Sequence, residues 1–418
     1  MSKALNFQFS DDDVVGAVMK VVGVGGAGGN AVDRMVVSGL TGVEFIAINT
    51  DLQALDANMA SQKFQIGKLM TRGRGAGANP ETGRKAAELD TEVIAESIKG
   101  ADLVFITAGM GGGTGTGAAP RIAQIAKEQN ALTVGIVTKP FRFEGKKRMS
   151  AAEAGIKELR EHVDTLVVIP NERLLGYVGE KMSLLSAFET ADEVLTQTTK
   201  GISDLIAKTG VVNLDFADVR TVMSEGGNAL MGMGSATGEN RGKEAAEMAL
   251  KCQLLDEVSI KGALGVLVNV TGSSDMSLFE VSNAASAIYE AAGDQANVIF
   301  GAVIDDSLSD EMRVTVIATG FNASTSKTKS INHNENIESG VNINDRNIEH
   351  PEYHSTALNS AEKHQPIATG AVNGQPNGNS HRIKSNGNGE RIHIGAFDMT
   401  GEPPEDKNLP TFLRRNKN

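Results

Sequence analysis

The sequence predicts an α/β protein with a mainly parallel sheet, a long central helix, a second and smaller α/β domain, and a disordered C-terminal tail. Three observations carry that expectation. Short apolar strands alternate with helical segments up to residue 169, an unbroken helical period covers 182–208, and the composition changes abruptly after Phe321. Strands alternating with helices imply βαβ units, whose ligands sit at the carboxyl ends of the strands.

The elements follow in chain order. A strand Val18–Val24 enters a glycine-rich turn and a helix Asn30–Ser38, then a strand Val43–Asn49. Helical signals cover 81–98. A strand Leu103–Thr107 leads to a second glycine-rich turn, and Pro120 is expected in the first turn of a helix Ala118–Glu128. A strand Leu132–Thr138, a helix at about 147–162 and a strand Thr165–Ile169 complete the first part. Along 182–208, Leu184, Phe188, Ala191, Leu195, Thr198, Ile202 and Leu205 recur at spacings of three and four. That makes one apolar face, with Gly210 as a suitable C-terminal cap. The smaller domain reads as helix 241–251, strand Gly262–Val270, helix 277–291, strand Asn297–Ile304 and strand Arg313–Ala318.

Composition excludes several classes. The 418 residues carry 40 Lys+Arg against 52 Asp+Glu, a net charge of −12, and so lack the cationic surplus that drives nucleic-acid binding. The segment from Asn322 onward holds 11 basic and 11 acidic residues, so the whole excess belongs to residues 1–321. One cysteine, Cys252, excludes a disulfide framework. His162 is the single histidine before the tail, which excludes a His-based dyad or metal cluster there. No apolar run approaches a membrane span, and MSKALNFQFSDDD lacks a signal-peptide pattern, so a cytoplasmic protein is expected.

The densest clusters among the 47 glycines lie at two strand–helix junctions. In VVGVGGAGGNAV, Gly23, Gly25 and Gly28 fit G-x-G-x-x-G, with Asp51 at the end of the next strand. That pattern suits a dinucleotide, so an NAD-dependent oxidoreductase is one reading. The second junction, AGMGGGTGTGAAP over Ala108–Pro120, interleaves glycines with Thr114 and Thr116. No G-x-x-x-x-G-K-[ST] string occurs, which rules out a P-loop. Two phosphate cradles at neighbouring strand ends suit one triphosphate better than a dinucleotide.

GGGTGTG at 111–117 resembles the signature of the tubulin and FtsZ superfamily in its bacterial form. The resemblance takes in NTDLQAL (Asn49–Leu55), PFRFEGKKR (Pro140–Arg148), PNERL (Pro170–Leu174), MSLLSAFETADEVL (Met182–Leu195) and NLDFADV (Asn213–Val219). It covers roughly residues 14–320 and returns in the last dozen. It implies a Rossmann-like GTP-binding domain, GTP or GDP as ligand with Mg²⁺ on the phosphates, and head-to-tail filaments of the division ring at mid-cell. On this reading Gly26, Ala27, Gly28, Gly29 and Asn30 hold the nucleotide from the first loop. Gly112, Gly113, Thr114, Gly115 and Thr116 wrap the phosphates. Glu144 and Arg148 reach the ribose and phosphates, and Asn171 is a further contact. Phe188 stacks on the base while Asp192, at i+4 on the same helix face, accepts from guanine N1–H and N2–H.

The resemblance makes Asn213, Asp215 and Asp218 catalytic. With the nucleotide near the start of the long helix, these acids lie ~40 Å away in the same subunit, so they serve the site of the next one. Read alone, Asp215 and Asp218 are N-capping residues before a helix Phe216–Val222, FRFEGKKRM is a basic surface loop, Phe188 is a core residue and Asp192 a solvated helix residue. No metal-ligand set is evident, with Asp51 a weak candidate near the site. A GTP-dependent adaptor without turnover is a third reading.

The expected boundaries are a flexible N-terminus 1–13, a nucleotide-binding domain 14–181, the central helix 182–210, an α/β domain 211–321 and a linker 322–405. A terminal peptide 406–418 follows. Leu409, Pro410, Phe412, Leu413 and Arg414 in that peptide are implied to bind membrane-tethering and regulatory division proteins. Two departures from the family stand out. Ala27 replaces a common glycine, and Asn408 replaces a common aspartate.

Overall fold

The computed structural model describes residues 16–175, 183–207, 212, 215–224, 227–252 and 260–321. Expectations for residues 1–13, Gly210, Asn213, the linker 322–405 and the peptide 406–418 lie outside the described residues.

The first half runs β1 (Met19–Val24), α1 (Gly25–Val37), β2 (Val43–Asn49), α2 (Leu52–Ala57), β3 (Gln62–Gln65) and α3 (Lys68–Thr71). It continues with α4 (Pro80–Leu89), α5 (Thr91–Ile98), β4 (Leu103–Gly109), α6 (Thr114–Glu128), β5 (Leu132–Lys139), α7 (Lys146–His162), β6 (Thr165–Pro170) and α8 (Asn171–Leu174). Then follow α9 (Leu184–Ala207), α10 (Phe216–Ser224), β7 (Gly227–Thr237), α11 (Arg241–Leu250), β8 (Gly265–Gly272), α12 (Leu278–Ala292), β9 (Asn297–Ile304) and β10 (Glu311–Thr319).

The strands form one sheet in the order β3-β2-β1-β4-β5-β6-β7-β10-β8-β9. From β3 to β7 every pairing is parallel. Strands β7, β10 and β8 pair antiparallel, and β8 pairs β9 in parallel. Alternation along each strand builds two cores. Met19, Val21, Leu103 and Phe105 face α1 and α9, while Val22, Val24, Val104 and Ile106 face α5, α6 and α7. In the second half, Arg241 is 4% exposed and its guanidinium reaches Glu280 at 2.7 Å and Asp275 and Asp310 at 3.1 Å. That hub ties the starts of α11, α12 and β10 together.

Several boundaries differ from the sequence expectation. The first helix begins at Gly25, five residues before Asn30, and α6 begins at Thr114, four before Ala118. The glycines that read as loops are therefore helical. At Gly25, Gly28, Gly115 and Gly117 the ~1 kcal/mol helix penalty is offset by close packing that a side chain would prevent. Pro120 consequently lies inside α6 and not in its first turn. The helical signal at 81–98 is two helices that meet at Asp90. Three short elements, α2, β3 and α3, and the eleven-residue β7 carried no readable signal.

The face predicted for α9 holds from Ala191 to Leu205, where Ala191, Leu195, Thr198, Ile202 and Leu205 are all buried. Its first turns emerge: Leu184 is 61% exposed and Phe188 37%. Among the described residues no helix is long and apolar enough to cross a membrane.

Candidate nucleotide site

The chain turns back across the sheet between β1 and β4, which are neighbours although β2 and β3 intervene in sequence. This is the switch point where open α/β sheets bind ligands. Both glycine segments lie there, opening α1 and α6 at the carboxyl ends of the two strands. The two helix N-termini touch: Gly25 has φ +74°, and a Cβ on it would stand 2.9 Å from Gly115 N.

The glycines divide by role. A Cβ at Gly23 would lie 2.5 Å from Gly28 O, and one at Gly28 would lie 2.4 Å from Thr107 O. The G-x-G-x-x-G set therefore serves close packing. Gly26, by contrast, is exposed and has nothing within 4 Å of its Cβ position. Gly112 in the second segment is half-buried and likewise has nothing within 4 Å of its Cβ position, whereas a Cβ on Gly117 would lie 1.8 Å from Pro80 O and one on Gly113 2.7 Å from Ala76 Cβ. Gly26 and Gly112 thus leave room at two helix N-termini, where N–H groups and the helix dipole favour an anion.

The remaining loop residues brace this shape. Gly29 O accepts from Asn58 Nδ2 at 2.9 Å, and Asn30 is exposed beside it. The Thr114 and Thr50 hydroxyls are 2.6 Å apart, and Thr116 Oγ1 accepts from Gly111 N–H at 2.8 Å. Ala27 is accommodated because residue 109 is glycine, whose Cβ would come within 2.5 Å of the Ala27 methyl. Asp51, the acid of the dinucleotide pattern, caps α2 by accepting from Gln53 N and Ala54 N.

The loop after β5 makes an aromatic cluster with the start of α9. Phe141 and Phe143 stack at 5.2 Å, and Phe188 meets them edge-on at 5.4 and 6.3 Å. Glu144 Oε1 accepts from Phe141 N–H at 2.8 Å, and its other oxygen holds Arg148 at 3.1 Å. Asn171 is buried, and among the described residues its Oδ1 has no hydrogen-bond partner. A buried acceptor left unpaired is costly, so this atom suits a ligand donor.

Asp192 lies one turn beyond Phe188. Burial pushes its carboxyl up to about 6, against the opposing pull of Arg34, with Glu189 adding to the rise. Sequence reasoning missed Arg34, Phe141, Phe143, Thr50 and Asn58. Each looked like an ordinary surface or core residue, and only the fold brings them to the site.

Asp215 and Asp218 lie past the other end of α9, exposed at the start of α10. Asp215 Oδ1 accepts from Asp218 N–H at 2.8 Å, so Asp215 is the N-cap that its position before Phe216 suggested.

An open α/β sheet with two helix N-termini at its switch point, opposite an aromatic and a carboxylate on a long helix, defines a nucleotide-binding protein of tubulin-like class. Residues 18–179 match the GTPase domain of the Tubulin/FtsZ family, and residues 227–322 match the C-terminal domain of the FtsZ family. A solved FtsZ dimer from M. jannaschii is 47% identical, with TM-score 0.72, covering 74% of this chain and 90% of that one. A point mutant of FtsZ from M. jannaschii is likewise 47% identical, with TM-score 0.71 over 74% and 92%. CetZ1 from Haloferax volcanii, solved as a GDP-bound monomer, shares the fold at 22% identity, TM-score 0.64, over 73% and 95%. The chain belongs to the FtsZ family and is a tubulin-like GTPase.

Proposed function

We propose that this protein hydrolyses GTP at the junction of two subunits stacked head to tail, and that the resulting filaments form the division ring. The observation that carries the reading is the spacing of two groups. Phe188 and Asp192 occupy the first turns of α9, and Asp215 and Asp218 follow its other end. In α9, which ends at Ala207, Phe188 and Asp192 stand 19 and 15 residues before that end, so at ~1.5 Å per residue the end the acids follow lies roughly 22–29 Å along the axis from them. An acid at that distance cannot orient water on its own subunit's γ-phosphate. It can do so on a neighbour's, with the Asn213–Asp218 segment completing that pocket. Such an interface is heterologous and propagates into filaments. The FtsZ structure solved as a dimer and the GTPγS-bound protofilament of CetZ2 from Haloferax volcanii support self-association.

Within one site, Gly26–Asn30 and Gly112–Thr116 surround the phosphates, with Arg148 and Glu144 beside them. Asn171 and Asp192 hold guanine, and Phe188 packs on its face. The open Gly26 and Gly112 positions and the unpaired Asn171 acceptor fit a guanine nucleotide. Among the described residues no three His, Cys, Asp or Glu side chains gather as a metal group. A Mg²⁺ would therefore take its oxygens from phosphate and water. Leu409, Pro410, Phe412, Leu413 and Arg414 are the proposed dock for membrane-tethering partners at a cytoplasmic, mid-cell location.

The test is the GTPase rate per molecule across protein concentrations. A shared site makes that rate fall towards zero on dilution. A rate that stays constant down to nanomolar protein rules out the shared site.

A further inference from the structure

The sheet splits where β6 and β7 part. They pair only from Thr165↔Gly227 to Val167↔Ala229. From Leu230 onward β7 pairs β10 instead, while β6 continues beside β5 to Pro170. A cleft of about 180 Å³ opens in this fork, lined by Leu166, Val168, Pro170 and Leu230. It lies on the α7 face: Leu166 belongs to the core under α7, and Val167 and Ile169 to the core under α9. The cleft is therefore on the opposite side of the sheet from Phe188 and Asp192.

The charge of this cleft is one-sided. Lys139, Arg160 and Arg173 line it, and no acidic residue does among the described residues. Arg160 Nε donates to Asn228 Oδ1 at 2.9 Å, which ties α7 to β7 and fixes the guanidinium at the rim. A guanidinium has five N–H donors, and this bond uses one.

We propose that this cleft binds a small amphipathic anion, a carboxylate carried on a flat apolar body. The apolar strand residues take the body, and Arg160 with Lys139 takes the carboxylate as a charge-assisted pair. Because the occupant touches both β6 and β7, it braces the two halves of the sheet and stabilises the native chain by linkage.

The probe is 2-naphthoate, titrated into the full chain with excess GDP to fill the nucleotide site. Equilibrium dialysis and thermal unfolding are the readouts. The expected result is saturable binding at a single site with a rise in Tm. Affinity should drop by about tenfold or more in Arg160→Met and in Leu230→Glu, and neutral 2-naphthylmethanol should bind about tenfold more weakly. GDP binding checks that each variant folds. If Leu230→Glu does not fold, Lys139→Met beside Arg160→Met decides. Absence of saturable binding, equal binding of the neutral alcohol, or affinity unchanged in the folded variants would overturn the proposal.

Discussion

Arg34 Nε on α1 stands 3.7 Å from Asp192 Oδ2 on α9, and Arg34 Nη2 reaches Glu189 at 3.2 Å. One cation thus faces two carboxylates one turn from the aromatic cluster. Burial and Glu189 push the Asp192 carboxyl up to about 6, and Arg34 limits the rise. The acid assigned to guanine therefore changes charge just below neutral pH.

Two pH dependences of opposite sign follow. The folded value is above the ordinary 3.8, so the stabilising contribution of Asp192 is full below pH 4 and lost as pH rises through about 6. A shift of that size corresponds to ~3 kcal/mol at most. Asp192→Asn should therefore raise the Tm of the nucleotide-free protein more at pH 7.5 than at pH 4.5. In the proposed role of Asp192 the carboxylate accepts from guanine, so wild-type GDP affinity should fall by up to about tenfold per pH unit below 6. It should be flat in Asp192→Asn. Differential scanning fluorimetry and GDP titrations across pH check both.

The two kinds of glycine should separate cleanly. Gly112→Ala adds a methyl where nothing lies within 4 Å, so Tm should stay within ~2 °C while GDP affinity drops. Gly117→Ala would place its methyl 1.8 Å from Pro80 O and force α4 off α6. A loss of ~3 kcal/mol or more is expected. Urea unfolding and GDP binding on both variants test the division.

Asp215 caps α10 and is the proposed catalytic acid, and one substitution pair separates the two. Asp215→Asn keeps an acceptor for Asp218 N–H, so stability should be unchanged while turnover is lost. Asp215→Ala should lose turnover and also ~1 kcal/mol of cap stability. Chemical denaturation with a GTPase assay distinguishes them, and full turnover in Asp215→Asn would contradict the catalytic assignment.

Asn171 offers a third separation. Replacing it with Leu removes a buried acceptor that has no partner among the described residues, so the nucleotide-free protein should lose no stability. GDP affinity should fall about fivefold to tenfold. Titration and unfolding on Asn171→Leu supply the check.

The sequence by itself determined the alternating α/β order, the long helix, the two glycine junctions and the acids beyond that helix. These are local signals: period, β-branched runs and turn residues lie within a few positions of one another. Strand β7, with its Gly-Asn-Ala-Leu-Met-Gly-Met-Gly run, was illegible because it has no β-branched residue before its last position. Its pairing partners supply its conformation. Tertiary structure alone decided which glycines leave room for a ligand. Gly26 and Gly28 look alike in sequence, and the neighbouring Thr107 carbonyl makes one a packing contact. It also decided the charge state of Asp192, which depends on burial and on Arg34, 158 positions away in the chain. A long-range contact has no local signature, so chemistry that depends on it becomes visible only once the sheet and α9 bring the groups together.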